Sequence, residues 1–162
     1  MKKWISIVAL MFISVTVFAQ KKLPRVELKN LEGKMVDVSS LENDGKPIVI
    51  SFWATWCKPC AKELDAIMEV YEEWQEETGV KIYAVSIDDS RAVRRVGPYA
   101  NGKGWDYNIL LDTNGELKRA LNVGAIPHTF LINGEGNIVW NHTSYQEGDE
   151  EELFEEIQNL VK

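Results

Sequence analysis

Histidine and cysteine are scarce in this sequence, which has two of each among 162 residues. The histidines, His128 and His142, lie 14 positions apart, whereas the paired histidines of a structural zinc finger are separated by about three to five residues. The sequence therefore does not indicate a structural zinc site, and we expect no bound metal.

The sequence also lacks an excess of positive charge. It carries 18 basic and 25 acidic side chains and has a net charge of −7. Proteins that bind nucleic acid depend on basic surfaces, so we expect no nucleic-acid partner. The length of 162 residues and the 45% content of hydrophobic residues predict one domain with a substantial core.

One long apolar run occurs, at the N-terminus. It covers residues 4–18 and follows Lys2 and Lys3, a pattern typical of a secretory signal peptide. We predict cleavage after Ala19, with an uncleaved anchor as the alternative, although the run is shorter than the roughly 20 residues that a membrane-spanning helix needs. The remaining domain, residues 20–162, carries 16 basic and 25 acidic side chains, a net charge of −9.

Both cysteines lie where a predicted strand turns into a predicted helix. An apolar strand at 47–53 is followed by Trp56, then Cys57-Lys-Pro-Cys60. A thiol at the first turn of a helix is close to unpaired backbone N–H groups and to the positive end of the helix dipole, and both favour the thiolate. Cys57 is therefore the predicted nucleophile. Cys60, one turn later, can reach it.

A Cys-x-x-Cys pair in this position is typical of a thioredoxin-like redox site. Two other interpretations remain open, half of a zinc site and a structural disulfide. A disulfide between residues so close in sequence restricts the unfolded chain little, which makes it better suited to reversible exchange than to stabilisation.

The hydrophobic pattern predicts alternating strands and helices. An initial hairpin, residues 26–28 and 35–38, is predicted to supply edge strands. The segments 47–53 and 81–87 are predicted to be parallel strands, since their continuous apolar runs suit burial on both faces. An amphipathic helix at 59–77 joins them.

The second half of the sequence predicts a further helix over 91–99, capped by residues 88–90. The segments after it predict a strand at 109–111, a short helix at 115–121 and a hairpin of 129–132 with 137–140. A final helix from about Asp149 is predicted to cover the sheet and to bury Leu153, Phe154, Ile157 and Leu160.

This order of elements is that of the thioredoxin fold, an α/β fold with a central mixed sheet flanked by helices. The N-terminal hairpin and an extra α/β segment around residues 90–121 are additions to it. From about Val26 onward the sequence resembles the TlpA/ResA-like thiol-disulfide oxidoreductases of the thioredoxin superfamily. The resemblance is carried by the segments LEGK at 31–34, WCKPC at 56–60 and GAIPHTFLI at 124–132.

The resemblance implies roles for particular residues. Pro127 is implied to follow a cis peptide bond and to face the dithiol, which leaves the backbone of Ile126 free to bind an extended substrate segment. Glu63, one turn after Cys60, is implied to accept the proton of the resolving thiol. A solvated glutamate that complements the helix dipole is the alternative for Glu63. Trp56 is expected to be partly exposed and to contact the substrate.

Two further positions differ from a typical thioredoxin or invite a catalytic interpretation. Ser51 lies where cytosolic thioredoxins carry a buried aspartate, so no buried acid is expected from that strand. His128 follows Pro127, and a single histidine beside a strand is usually a tolerated surface residue. We assign His128 no catalytic role.

The resemblance implies a thiol-disulfide oxidoreductase of the periplasm or cell envelope that needs no separate cofactor. The sequence leaves the oligomeric state open, and we favour a monomer. Within that family, electrons come from a membrane-embedded thiol donor, and targets include apocytochrome c and other envelope proteins. We expect a reductase of protein disulfides. The alternatives are a disulfide isomerase or oxidase, a copper-binding redox module, and a peroxidase.

Overall fold

The structure, a computed structural model, describes residues 21–162, and the predicted signal peptide at residues 1–19 lies outside them. The strands are β1 (Glu27–Asn30), β2 (Met35–Asp37), β3 (Ile48–Trp53), β4 (Lys81–Ser86), β5 (Asn108–Leu111), β6 (His128–Ile132) and β7 (Ile138–Thr143). The α-helices are α1 (Lys58–Thr78), α2 (Val96–Lys103), α3 (Glu116–Ala120) and α4 (Asp149–Val161).

The seven strands form one mixed sheet in the order β2-β1-β5-β4-β3-β6-β7. Strand β3 pairs in parallel with β4 and antiparallel with β6, which confirms the predicted parallel pairing and the predicted α/β, thioredoxin-like architecture. Every residue of β3 is buried. A continuous apolar run suits this position because both faces of the central strand are covered.

Alternate residues of β3 enter two apolar clusters, one on each face of the sheet. Val49 and Trp53 pack with the buried faces of α1 and α4. Ile50 and Phe52 pack on the other face, with α3 and the first hairpin. Because side chains alternate along a strand, Ser51 points to the same face as Val49 and Trp53, toward α1.

The prediction that both strands of the first hairpin are edge strands is wrong for β1. This strand pairs antiparallel with β2 on one side and with β5 on the other, so only β2 lies at the edge. An alternating pattern indicates that one face of a strand is buried, and Leu28 is the buried residue of β1. The pattern carries no information on how many neighbouring strands pair with it.

The helix predicted at 91–99 begins later than expected. Residues Val93–Arg95 form a 3-10 turn, and α2 starts at Val96. The Asp89 carboxylate accepts hydrogen bonds from the backbone N–H groups of Arg91 and Ala92, so it closes a local turn before the helix. Asp88 is buried and turns inward instead of capping the helix.

Helix α4 covers the α1 side of the sheet, as predicted. Leu153 and Ile157 are buried, and Phe154 stacks on Trp74 of α1 with 4.9 Å between ring centroids. The predicted burial of Leu160 is wrong, since this residue is 37% exposed in the last turn, outside both apolar clusters. Among residues 21–162, no helix combines the length and hydrophobicity that crossing a membrane requires.

Candidate active site

The turn between β3 and α1 places Cys57 at the N-cap of a 21-residue helix. Its backbone is extended, with φ −93° and ψ 99°, and its sulfur accepts a hydrogen bond from the backbone N–H of Cys60 at 3.3 Å. Pro59 lies in the first helical turn, where its missing N–H would have had no partner in the helix. A backbone N–H of the first helical turn therefore points at Cys57 Sγ, as the predicted position of Cys57 at the helix start requires.

The two cysteines are joined in a disulfide, with 5.4 Å between their Cα atoms. Their environments differ: Cys57 is 6% exposed and Cys60 is fully buried. Of the two residues, only Cys57 keeps accessible surface, so the cysteine at the helix N-terminus is the one that an incoming partner can reach.

The loop before β6 faces this disulfide. The Ile126–Pro127 peptide bond is cis, and the carbonyl oxygen of Ile126 lies 3.9 Å from Cys57 Sγ. Ile126 is half-buried and Pro127 is buried. The structure thus brings together Cys57 and Ile126, which are 69 positions apart in the sequence.

Glu63 lies three residues after Cys60 in α1 and is buried, with 5% of its surface exposed. The hydroxyl of Thr129 donates to its Oε1 at 2.7 Å, and the hydroxyl of Ser51 donates to its Oε2 at 3.0 Å. Ser51 and Thr129 are direct partners in the antiparallel pairing of β3 with β6. The cross-strand pair Ser51 and Thr129 therefore donates a hydrogen bond to each oxygen of the Glu63 carboxylate, which projects from α1 onto the sheet.

Burial raises the pKa of the Glu63 carboxyl from its ordinary value of 4.5 to about 7. The hydrogen bonds from Thr129 and Ser51 oppose this rise, and the nearby carboxylates of Asp149 and Glu150 add to it. The interpretation of Glu63 as a solvated glutamate is therefore wrong. The sheet carries serine where a cytosolic thioredoxin carries an acid, and the helix supplies a buried acid instead.

Asp88 supports the turn that precedes the cysteines, a role that the sequence analysis missed. Its carboxylate accepts hydrogen bonds from the backbone N–H of Thr55 at 2.9 Å, from the Thr55 hydroxyl at 2.6 Å and from the Ser86 hydroxyl at 2.9 Å. Asp88 is 1% exposed. Asp88 follows directly after the buried strand β4, at the end of the sheet where the parallel strand β3 also ends. This position in the sequence is the signal that could have identified it.

Two aromatic residues near the cysteines have contrasting environments. Trp56 is 66% exposed beside Cys57, whereas Trp53 is fully buried against Trp105 and Tyr99. Trp56 therefore offers a flat apolar surface to a partner, and Trp53 anchors the turn from below.

His128 is not the surface residue that the sequence suggests. It is buried, stacks on Phe130 with 4.3 Å between ring centroids, and its Nε2 lies 3.2 Å from Asn141 Oδ1. Burial lowers its pKa. Its side chain lies on the face of β6 opposite Thr129, away from Glu63.

Within residues 21–162, no group of three or more histidine, cysteine, aspartate or glutamate side chains is placed to hold a metal ion. A pair of cysteines of which one keeps accessible surface and the other is fully buried is suited to exchange with another disulfide.

A model of the AhpC/TSA family matches residues 19–141. The chain belongs to the AhpC/TSA family. Among similar curated proteins, the thiol-disulfide oxidoreductase ResA of Bacillus subtilis (strain 168) is 32% identical over 139 residues, which cover 86% of this chain and 73% of that protein. ResA of Halalkalibacterium halodurans is 33% identical over 135 residues, 83% of this chain and 72% of that protein.

Solved structures show the same fold. A thioredoxin-like protein from Porphyromonas gingivalis is 56% identical, with a TM-score of 0.78, and the match covers 86% of this chain and 91% of that one. StoA from Bacillus subtilis is 26% identical with a TM-score of 0.64, over 82% of this chain and 99% of that one. The predicted resemblance to ResA-like proteins is confirmed, and this AhpC/TSA family member is a thiol-disulfide oxidoreductase with a thioredoxin-like fold.

Proposed function

We propose that this oxidoreductase is an extracytoplasmic reductase of protein disulfides that uses Cys57 and Cys60. The observation that carries the proposal is the asymmetry of the pair. Cys57 keeps some accessible surface at a helix N-terminus and its sulfur lies 3.9 Å from the Ile126 carbonyl oxygen, whereas Cys60 is fully buried. An exchange protein needs this division between an attacking thiol and a resolving thiol.

The reaction starts from the dithiol form. The Cys57 thiolate attacks one sulfur of the partner disulfide, a mixed disulfide forms, and the other partner sulfur leaves as a thiolate that takes up a proton. Cys60 then loses its proton and attacks Cys57 Sγ. The second partner thiol is released, and the Cys57–Cys60 disulfide closes. Two electrons pass from the protein to the partner, and no separate cofactor takes part.

Glu63 accepts the proton of Cys60 in the second step. A general base works best when its pKa is near the operating pH, and burial brings the pKa of Glu63 to about 7. Its position three residues after Cys60 places it one helical turn away on the same side of α1. The hydroxyls of Ser51 and Thr129 hold it in place, so Glu63 is a catalytic residue and these two are positioning residues.

The substrate binds as an extended segment across the disulfide. The exposed ring of Trp56 contacts it on one side, and the backbone of Ile126, with Pro127 behind it, hydrogen-bonds to it on the other by strand addition. The 3.9 Å separation of Cys57 Sγ and the Ile126 carbonyl supports this arrangement, because a segment paired with Ile126 would pass directly over the reactive sulfur.

The proposed location is the periplasm or cell envelope. It rests on the signal pattern at residues 1–19 and on the family resemblance, which also suggests a membrane-embedded thiol donor and substrates such as apocytochrome c. A monomer, which exposes the single reactive cysteine to many protein disulfides, fits these roles.

Trapping the mixed disulfide tests the proposal. Cys60→Ser, mixed with oxidised insulin, should accumulate a covalent adduct that dithiothreitol removes, because the attacking thiol remains and the resolving thiol is gone. Cys57→Ser, the matched control, should form none. Mass spectrometry under non-reducing conditions measures both. An adduct with Cys57→Ser but not with Cys60→Ser would show that the roles are reversed, and no adduct with either would refute the proposal.

A further inference from the structure

A surface groove of about 490 Å³ adjoins the disulfide on the side of β4. It is lined by Trp56, Ile87, Asp89, Arg91, Ala92 and Arg95. Trp56 directly precedes Cys57 in the sequence, and the backbone N–H of Ile87 donates to the carbonyl of Trp53 at 2.9 Å. The groove therefore lies next to the turn that carries the cysteines.

The sheet order places this groove opposite the Ile126–Pro127 loop. Strand β3, which leads to the cysteines, lies between β4 and β6. The antiparallel β6 begins, and the parallel β4 ends, at the carboxyl end of β3. A segment that pairs with Ile126 and continues past Cys57 and Trp56 therefore runs into the groove.

The groove has a net positive charge in an acidic protein, since its lining contains two arginines and one aspartate. Three of the five arginines of the sequence lie at positions 91, 94 and 95, and all three are exposed. The guanidinium of Arg91 is held by Asp89, with 2.9 Å between Nη2 and Oδ2. Within residues 21–162, no acidic side chain lies within 4.0 Å of the charged group of Arg95. Its charge is thus available to a partner, although residues 20–162 together carry a net charge of −9.

We propose that this groove binds an acidic segment of the disulfide-bearing partner, with Arg95 pairing with a carboxylate that lies close in sequence to the attacked cysteine. The proposal rests on the reductase function above and names a substrate class for it. Guanidinium groups match the geometry of carboxylates, and the Trp56 ring covers the apolar part of an extended chain.

The spacing of the strands indicates where the acidic residues should be. Neighbouring strands are about 4.8 Å apart, and β3 lies between β6 and β4, so the loop before β6 and the groove after β4 are separated by about 10 Å. An extended chain advances about 3.3 Å per residue. The groove is therefore reached about two to four residues from the cysteine that forms the mixed disulfide.

Three peptides distinguish this proposal from an effect of overall charge. Each has one central cysteine, joined by a disulfide to 2-mercaptoethanol, and carries glutamate, glutamine or lysine at the second to fourth positions on both sides. The reduced protein transfers two electrons, releases the peptide thiol and 2-mercaptoethanol, and is left with the Cys57–Cys60 disulfide. The second-order rate of peptide-thiol release is measured by chromatography after an acid quench.

We expect the glutamate peptide to react about fivefold faster than the glutamine peptide at low ionic strength, since exposed ion pairs are individually weak. The lysine peptide should be the slowest, and added salt should reduce the differences. Attraction by the net charge of the protein would give the opposite order. Equal rates, or a fastest lysine peptide, would overturn the inference.

Matched arginine variants locate the effect. Arg95→Gln should reduce the ratio of the glutamate-peptide rate to the glutamine-peptide rate to about twofold. Arg95→Glu should make the lysine peptide react faster than the glutamate peptide. Arg94→Gln removes the same charge from a neighbouring exposed residue that does not line the groove, and it should leave most of the ratio intact. An equal loss in Arg94→Gln and Arg95→Gln would refute recognition by the groove. Failure to reduce any of the three peptides would instead refute the reductase function, and this inference with it.

Discussion

Glu63→Gln should increase the free energy of unfolding relative to the unsubstituted protein by an amount that grows between pH 5 and pH 8. The reason is the buried carboxyl, whose pKa rises from 4.5 to about 7 on folding. The folded state then holds a proton that the unfolded state has released. Stability contributed by this protonated group is fully present below pH 4.5 and is lost as the pH rises through 7.

The magnitude follows from the two pKa values. Each pKa unit corresponds to about 1.4 kcal/mol, so the difference between 4.5 and about 7 lowers the free energy of unfolding by about 3.5 kcal/mol in total as the pH rises past both values. Because the unfolded carboxyl is already largely ionised at pH 5, about 2.5 kcal/mol of this loss falls between pH 5 and pH 8. Glutamine has nearly the same shape and does not titrate, so the variant lacks this loss.

Urea unfolding of the oxidised proteins at pH 5, 6, 7 and 8 measures the effect, with the disulfide closed so that neither thiol titrates. The quantity of interest is the difference in unfolding free energy between Glu63→Gln and the unsubstituted protein at each pH. This difference cancels the titration of other groups and any pH-independent change in the hydrogen bonds with Ser51 and Thr129. Glu69→Gln, at an exposed position of the same helix, is the control and should give a nearly constant difference.

A difference for Glu63→Gln that is constant from pH 5 to 8 would show that the Glu63 carboxyl titrates as it does in the unfolded chain. A difference that shrinks with rising pH would mean that folding lowers its pKa. Either result would remove the physical basis for Glu63 as a base that works near neutral pH.

Two further predictions concern the redox site. The reduction potential, measured by equilibration with dithiothreitol or glutathione, should lie nearer about −270 mV than about −120 mV, because a helix terminus and Lys58 stabilise the Cys57 thiolate only moderately. A potential above about −180 mV would contradict a reductase. Glu63→Gln should slow exchange more than it shifts the potential. Asp88→Ala leaves three donors near the active-site turn without their acceptor and should cost about 2 to 4 kcal/mol in urea unfolding, whereas Asp89→Ala, at an exposed neighbour, should cost less than about 1 kcal/mol. Similar losses in the two aspartate variants would show that Asp88 does not hold the turn.

The sequence by itself determined the features that depend on neighbouring residues. The position of Cys57 before a helix, the proline in the first turn and the reach of Cys60 all follow from a few adjacent residues and from the geometry of one helical turn. The continuous apolar run of β3 likewise predicts a central strand, since only a strand covered on both faces needs it.

Only the tertiary structure decided the environment of the carboxylates and arginines around the dithiol. Glu63 is three residues from Cys60, but its burial depends on Thr129, 66 positions away, and on the register that places Thr129 opposite Ser51. A shift of that register by one residue would turn Thr129 to the other face of the sheet. Asp88 contacts the active-site turn, and Arg95 lines a groove with Trp56, for the same reason: β4 ends beside β3. Pairing and register are set by packing over the whole sheet, and no short segment of the sequence contains them.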